Sequence, residues 1–280
     1  MEEKEKTVEL VSQENQAESS QIQETSTPQT AKNKPLTSSL LYKFLAIFGF
    51  AFVCFIFIFQ VVLKPIQIYG LSMYPTLNAS ATSNFDQTNV DIVFISKHKT
   101  YKNNDIIVAN NTKSQYVIDE DGLVSSIIKR VVATEGQTIV FFPIEKYPAE
   151  ANTYYYNFKV LDKNGKEVQL DNSFNPEDMF FTRSTDSASY NHPIIQAYYP
   201  FYYNLCNKLY EVAEGNSDEE ISFVIPENQY FVLGDNRNAS TDSRWFGFIK
   251  HEDIMGSVEL HLKHGESIII SIFNKIKTIF

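Results

Sequence analysis

The sequence predicts a mainly β fold that carries an α/β insertion and is preceded by one transmembrane helix. Three observations predict it. Short runs of β-branched and aromatic residues recur after Pro65, a 20-residue stretch without charge precedes them, and a tyrosine-rich stretch of different texture interrupts them. Runs of this kind, punctuated by Asn, Asp and Gly, are the pattern of strands and turns.

Taken in chain order, residues 1–39 come first. They hold seven Glu against four Lys and none of the 22 Phe. Such a segment buries too little apolar surface to offset its ordering entropy, so a disordered tail is expected. The run from Phe44 to Leu63, FLAIFGFAFVCFIFIFQVVL, carries no charge. At 1.5 Å per residue it matches a bilayer core of about 30 Å, and a membrane helix is expected over 40–64. Lys32, Lys34 and Lys43 precede it, and Lys64 alone follows closely. Because positive charge is retained on the cytoplasmic side, the tail is expected in the cytoplasm and everything after Leu63 outside.

Residues 65–262 make up the main body. QIYGLSM, VDIVFIS, DIIVAN, SIIKRVVA, QTIVFF and QYFVLGD read as strands. Roughly 141–223 reads as an insertion with little visible alternation. Within it VLDKNGKEVQL predicts a hairpin turning on Asn164 and Gly165, and His192–Ala213 has helical character. The last segment, 263–280, contains SIIISIFNKIKTIF, too short to span a bilayer. Its Ile/Phe spacing with Lys275 and Lys277 suits an amphipathic helix lying on lipid, or a terminal helix packed on the domain.

Composition narrows the chemistry. A net charge of −10 argues against a nucleic-acid partner, which calls for a clustered basic face. Cys54 lies in the apolar run and Cys206 far beyond it, so no disulfide is expected; no Cys/His spacing suggests zinc, and no metal or other cofactor is implied.

Three polar positions stand out. Ser72 lies in YGLSMYPTL, between Gly70 and Pro75, where a turn can present a hydroxyl together with backbone N–H groups. None of the five histidines sits in a recognisable triad motif, and there is no GxSxG elbow. The conspicuous alternative base is Lys129 inside SIIKRVVA, sharing a strand face with Ile127 and Val131. Such a lysine is either an edge charge reaching water or a desolvated amine. In the second case burial lowers its pKa toward working pH, and Arg130, if close, adds like-charge repulsion. Third, Gly234–Ile249 packs Asp, Asn, Arg and Ser between apolar strands, as a polar network under a site or as a rim loop.

SMYPTL (Ser72–Leu77), DIIVAN (Asp105–Asn110), IIKRVVATEG (Ile127–Gly136) and GDNRNASTDSR (Gly234–Arg244) together resemble, in order, the motifs of the bacterial type I signal peptidases. The resemblance implies a signal-peptidase-like β-sheet or barrel catalytic domain. It also implies a membrane-bound serine endopeptidase that cuts signal peptides from secretory preproteins after small residues. By position it makes Ser72 the nucleophile and Lys129 the general base. Ser240 would orient the amine, Asp242 and Arg244 would form a supporting ion pair, and Asp235 and Arg237 would be further supports. Ile68 and Ile128 would line shallow substrate pockets. The Ser72 N–H would be one oxyanion donor; Gly70 stands where some relatives carry a second, so that donor is unassigned. Ala239 and Gln137 depart from the family pattern without touching the dyad. The alternatives are a specialised Ser/Lys peptidase with one dedicated substrate, and a non-enzymatic membrane-anchored binding module.

Overall fold

The computed structural model describes residues 38–57, 63–79, 90–111, 126–146, 153–171, 179–182, 190–217 and 219–279. The tail expected over 1–39 lies outside them except for its last two residues. Helix α1 (Ser38–Phe57) contains no charged residue after Lys43, and its apolar side chains are exposed along its length. Residues 58–62 of the expected span lie outside the described residues.

The main body is a seven-stranded antiparallel sheet. Its strands are β1 (Lys64–Gln67), β2 (Ile92–Ser96), β3 (Ile106–Asn110), β4 (Ser126–Thr134), β9 (Gln229–Leu233), β10 (Ile249–Lys250) and β11 (Ile254–Leu262). The order is β1-β2-β11-β3-β4-β9-β10, which leaves β1 and β10 as edges among the described residues. Both faces of the central strands are buried. Ile107, Ile127 and Val131 enter one cluster with Tyr230 and Val232, while Val108 and Ile128 enter another with Ile68, Met73 and Leu77. Burial on both sides explains why these strands read as continuous apolar runs.

Two strand expectations differ from the structure. QIYGLSM is not a strand: pairing stops at Gln67, and Gly70, at φ +85°, turns the chain into the loop that carries Ser72. No strand was predicted over Ile254–Leu262, yet β11 lies third in the sheet. Register shifts at Ile254/Gly256 and Val258/Leu260 interrupt its period of two, so alternation does not reveal it.

The expected insertion region forms a second antiparallel sheet, β7-β6-β5-β8. Its strands are β5 (Thr138–Lys146), β6 (Thr153–Leu161), β7 (Phe180–Thr182) and β8 (Ile221–Val224), so QTIVFF belongs here and not to the main sheet. Alternation is present after all: Tyr154, Tyr156, Phe158 and Val160 of β6 are buried in turn. The aromatic Tyr155 between Tyr154 and Tyr156 hides the start of the pattern, which Asn157 and Lys159 continue. After β6 the chain turns at Asp162–Lys166, with Gly165 at φ +78° and the Asp162 carboxylate accepting the Asn164 and Lys166 N–H groups. The helical stretch divides into α2 (Pro193–Tyr198) and α3 (Pro200–Ala213), because Pro200 cannot donate the hydrogen bond that would continue α2.

One aromatic core joins this second sheet to the first: Phe141, Tyr156, Phe181 and Leu205 pack in the same cluster as Phe231 and Leu233 of β9. Cys206 is fully buried within it, and burial pushes its thiol pKa well up, so it behaves as a small apolar residue. The chain ends in α5 (Ile268–Ile279), packed against β11.

Candidate active site

Ser72 sits in a tight loop built from its own neighbours. Asn78, buried and at φ +57°, donates through Nδ2 to the Ile68 and Gly70 carbonyls at 2.8 and 3.0 Å. Asn78 and Asp91 exchange two further bonds, Asn78 N–H to Asp91 Oδ2 at 2.7 Å and Asp91 N–H to Asn78 Oδ1 at 2.8 Å. Asp91 is held in turn by His261 Nε2 at 2.7 Å and the His264 N–H at 2.9 Å. Burial opposes its ionisation, but these bonds outweigh it and keep its pKa below the ordinary carboxylate value. Sequence reasoning missed this brace. Asn78 directly follows SMYPTL, but nothing local ties it to a residue 13 positions on.

Lys129 comes from the middle of β4, where Ile107 of β3 is its pairing partner. Its side chain is 4% exposed, and its Nζ lies 2.9 Å from Ser72 Oγ and 2.9 Å from the Ile128 carbonyl. Burial is the largest influence on the amine and lowers its pKa to about 8. The Asp242 carboxylate pulls upward and the Arg244 guanidinium pushes downward. The repulsive neighbour is therefore Arg244. Arg130, expected in that role, turns to Asp235 in a two-pronged ion pair at 2.8 and 2.6 Å and also donates to the Asn104 carbonyl.

The loop after β9 holds the Ser72 loop directly and strand β4 through Arg130. Asn236 N–H donates to the Ser72 carbonyl at 3.0 Å, and Asn236 Nδ2 to the Leu71 carbonyl at 3.1 Å. Asp235 also accepts from Thr76 at 2.6 Å, so one carboxylate ties the Ser72 loop, β4 and the 234–244 loop together. Arg237, the other expected support, is buried and donates Nε to the Gly234 carbonyl at 2.8 Å.

Asp242 and Arg244 form the expected ion pair, with Arg244 Nε and Nη2 at 2.8 and 2.9 Å from the two carboxylate oxygens. Both are buried, and Arg244 also caps the Arg237 carbonyl at 2.7 Å. Asp242 accepts from the Gly234 N–H at 3.0 Å and serves as N-cap of the one-turn helix α4 (Ser243–Phe246). Burial works against its negative charge; Arg244 and these donors win and keep its pKa below the usual value. Ser240 is placed differently from expectation. Its hydroxyl is buried against Gly234 and the Asp242 carboxylate, and the hydrogen bonds of the Lys129 amine go to Ser72 and Ile128.

Ile68 and Ile128, expected to line pockets, are brought together in the cluster beneath the Ser72 loop and are 3% and 7% exposed. No group of three or more His, Cys, Asp or Glu able to hold a metal ion occurs among the described residues.

Removing the Asp235 carboxylate is expected to strand a guanidinium that is only 11% exposed, together with the Thr76 hydroxyl. Asp235→Ala should destabilise the fold by about 3 kcal/mol, as for other broken buried pairs. Denaturant unfolding of the wild type and the variant side by side measures the difference.

A hydroxyl on a braced loop within hydrogen-bonding reach of a desolvated amine is the arrangement of a serine nucleophile with a lysine base. The family described as "Signal peptidase, peptidase S26" matches residues 41–262. Signal peptidase I of Streptococcus pneumoniae serotype 4 is 27% identical over 206 residues, covering 70% of this chain and 80% of that protein. Signal peptidase IB of Staphylococcus aureus strain COL is 26% identical over 208 residues, covering 74% and 82%. A solved signal peptidase I from Enterococcus faecalis aligns at 23% identity over 57% of this chain and 97% of that one, with a TM-score of 0.26, a likeness too slight to build on. With most of its length inside the matched region, the chain belongs to the signal peptidase family, peptidase S26.

Proposed function

We propose that this chain is a membrane-anchored endopeptidase that removes signal peptides from exported preproteins, with Ser72 as nucleophile and Lys129 as general base. The observation that carries the reading is the 2.9 Å separation between Ser72 Oγ and a lysine Nζ buried enough to lose its proton near neutral pH.

Neutral Lys129 takes the Ser72 proton as Oγ attacks the scissile carbonyl carbon and the carbonyl electrons move to oxygen. The Ser72 N–H is the assigned donor to that oxyanion, and the second donor stays unassigned. Collapse breaks the C–N bond, and the leaving amine takes its proton from Nζ. The regenerated amine then deprotonates water, which attacks the ester; Ser72 Oγ leaves and recovers a proton from Nζ. Burial favours the neutral form of Nζ, the Asp242 carboxylate opposes it, and the Arg244 guanidinium adds a smaller push in the same direction as burial. Ile68 and Ile128 would bound shallow pockets that select small side chains at the first and third positions before the cut.

Helix α1 fits a membrane anchor, and the Lys32, Lys34, Lys43 against Lys64 bias puts the N-terminus in the cytoplasm and the site outside. Enzyme and preprotein then meet in one bilayer at raised effective concentration. The partners are signal peptides and lipid, with no nucleic acid.

The pH profile is a direct test. The base works uncharged, so kcat/KM should rise with pH through about 8 and level off above it. At pH 7.5 roughly a quarter of the amine would be neutral, against about a thousandth for an unperturbed lysine. Initial rates of preprotein cleavage across the neutral to alkaline range decide it. A rise centred near the ordinary 10.5 would mean that the working amine is not desolvated.

A further inference from the structure

Helix α5 presents large apolar side chains to its surroundings at its start. Ser271 is 5% exposed and donates its hydroxyl to the His261 carbonyl of β11. Asn274, three residues on, donates to Glu266 just before the helix at 3.3 Å. Ile269 and Ile270 point outward, at 74% and 53% exposed. In sequence Ile269, Phe273, Ile276 and Phe280 recur at steps of four, three and four, the spacing of one helical stripe. A domain surrounded by water gains by facing large apolar side chains inward, so the outward Ile269 and Ile270 call for an apolar medium.

The chain itself supplies that medium. Lys64 follows the last residue of α1 by seven positions, a chain length of at most about 25 Å, which ties β1 to the membrane boundary. In the sheet order β11 is the second neighbour of β1, about 10 Å away, and α5 follows the end of β11 that lies level with Gln67, three residues beyond Lys64. Lys263 before the helix and Lys277 in its last turn are exposed, as suits acidic headgroups. Glu266, the nearest acid, is occupied by the Lys263 N–H and Asn274.

We propose that α5 is an interfacial helix whose outer isoleucines enter the surface of the bilayer in which α1 is anchored, giving the protein a second, C-terminal lipid contact. This rests on the reading of α1 as a membrane span. Because His261 closes on Asp91, and Asp91 on the Ser72 loop, the lipid-facing helix is rooted in the strand that braces the nucleophile.

The test uses the full chain in vesicles of phosphatidylethanolamine and phosphatidylglycerol. Nitroxide labels are attached singly to Ile269→Cys, Ile270→Cys, Phe50→Cys and Lys208→Cys in a Cys54→Ser background; Cys206 is fully buried. Collisions with oxygen report lipid, and collisions with a water-soluble nickel chelate report water. The Ile269 and Ile270 labels should resemble the Phe50 label of α1, with oxygen favoured several-fold over the chelate, and differ from the exposed Lys208 label. If they resemble the Lys208 label while Phe50 stays in lipid, the α5 proposal is overturned and the anchor stands. A Phe50 label in water would refute the anchor instead. Spin–spin broadening at Ile269 or Ile270 would show a second copy of the chain covering the stripe and would also overturn the proposal.

Discussion

Lys129→Met is expected to lower preprotein cleavage by about 10⁴-fold or more while leaving the protein folded. A positioned general base contributes roughly 10²–10⁴ to a proton-transfer step, and groups that act as a unit lose nearly everything when one is removed. Here the same amine serves acylation and deacylation, so no step of the cycle escapes its loss. The fold should tolerate the change. Methionine matches the length and volume of the buried lysine stem, and the amine it replaces is already disfavoured in its charged form by burial. Ser72→Ala should fall as far, since Ser72 is the only group within hydrogen-bonding reach of that amine besides the Ile128 carbonyl among the described residues. Turnover of a preprotein, with circular dichroism on the same samples, checks both variants. Retention of more than about a tenth of wild-type activity by Lys129→Met would remove the dyad from consideration, because uncatalysed proton transfer cannot sustain such a rate.

What the sequence disclosed was local. Ser72 beside Gly70, Lys129 between Ile127 and Val131, and the dense 234–244 loop each announce themselves within a few residues, and their order along the chain names the family. What it concealed was pairing across long separations. Arg130 reads as a second positive charge next to Lys129; only the fold brings Asp235, 105 positions on, to neutralise it, and the amine is depressed by burial first and by Arg244 to a lesser extent. Asn78, Asp91 and His261 are unremarkable singly and form one brace together. Ser240 was assigned by its place in a motif, and its hydroxyl instead faces Gly234 and Asp242. The strands follow the same rule. Those buried on both faces stand out as apolar runs, whereas β11 is masked by its bulges and β6 by tyrosines that serve as core residues on alternate positions.

Gly234→Ala is the second large effect, and it separates geometry from chemistry because it removes no functional group. A methyl group added at Gly234 would lie 2.2 Å from Ser240 Oγ, 2.5 Å from Ser240 Cβ and 2.5 Å from the Ser72 carbonyl oxygen. None of these has room to yield. Ser240 is buried, and the Ser72 carbonyl is fixed by the Asn236 N–H within a loop that Asn78 braces from the other side. The Gly234 N–H is also bound to Asp242, so the glycine cannot back away without loosening the ion pair beside Lys129. Displacing reacting groups by about 1 Å can cost about 10²-fold in rate, and at least that loss is expected here. It should fall on kcat, since the methyl group meets the nucleophile's own carbonyl and the loop beside Lys129. Steady-state kinetics and the pH profile together read the outcome. An apparent pKa that moves away from about 8 would show the Asp242–Arg244 pair shifting with the methyl group, whereas near-wild-type kcat would mean that the close approach of Gly234 to Ser72 does not hold the nucleophile in place.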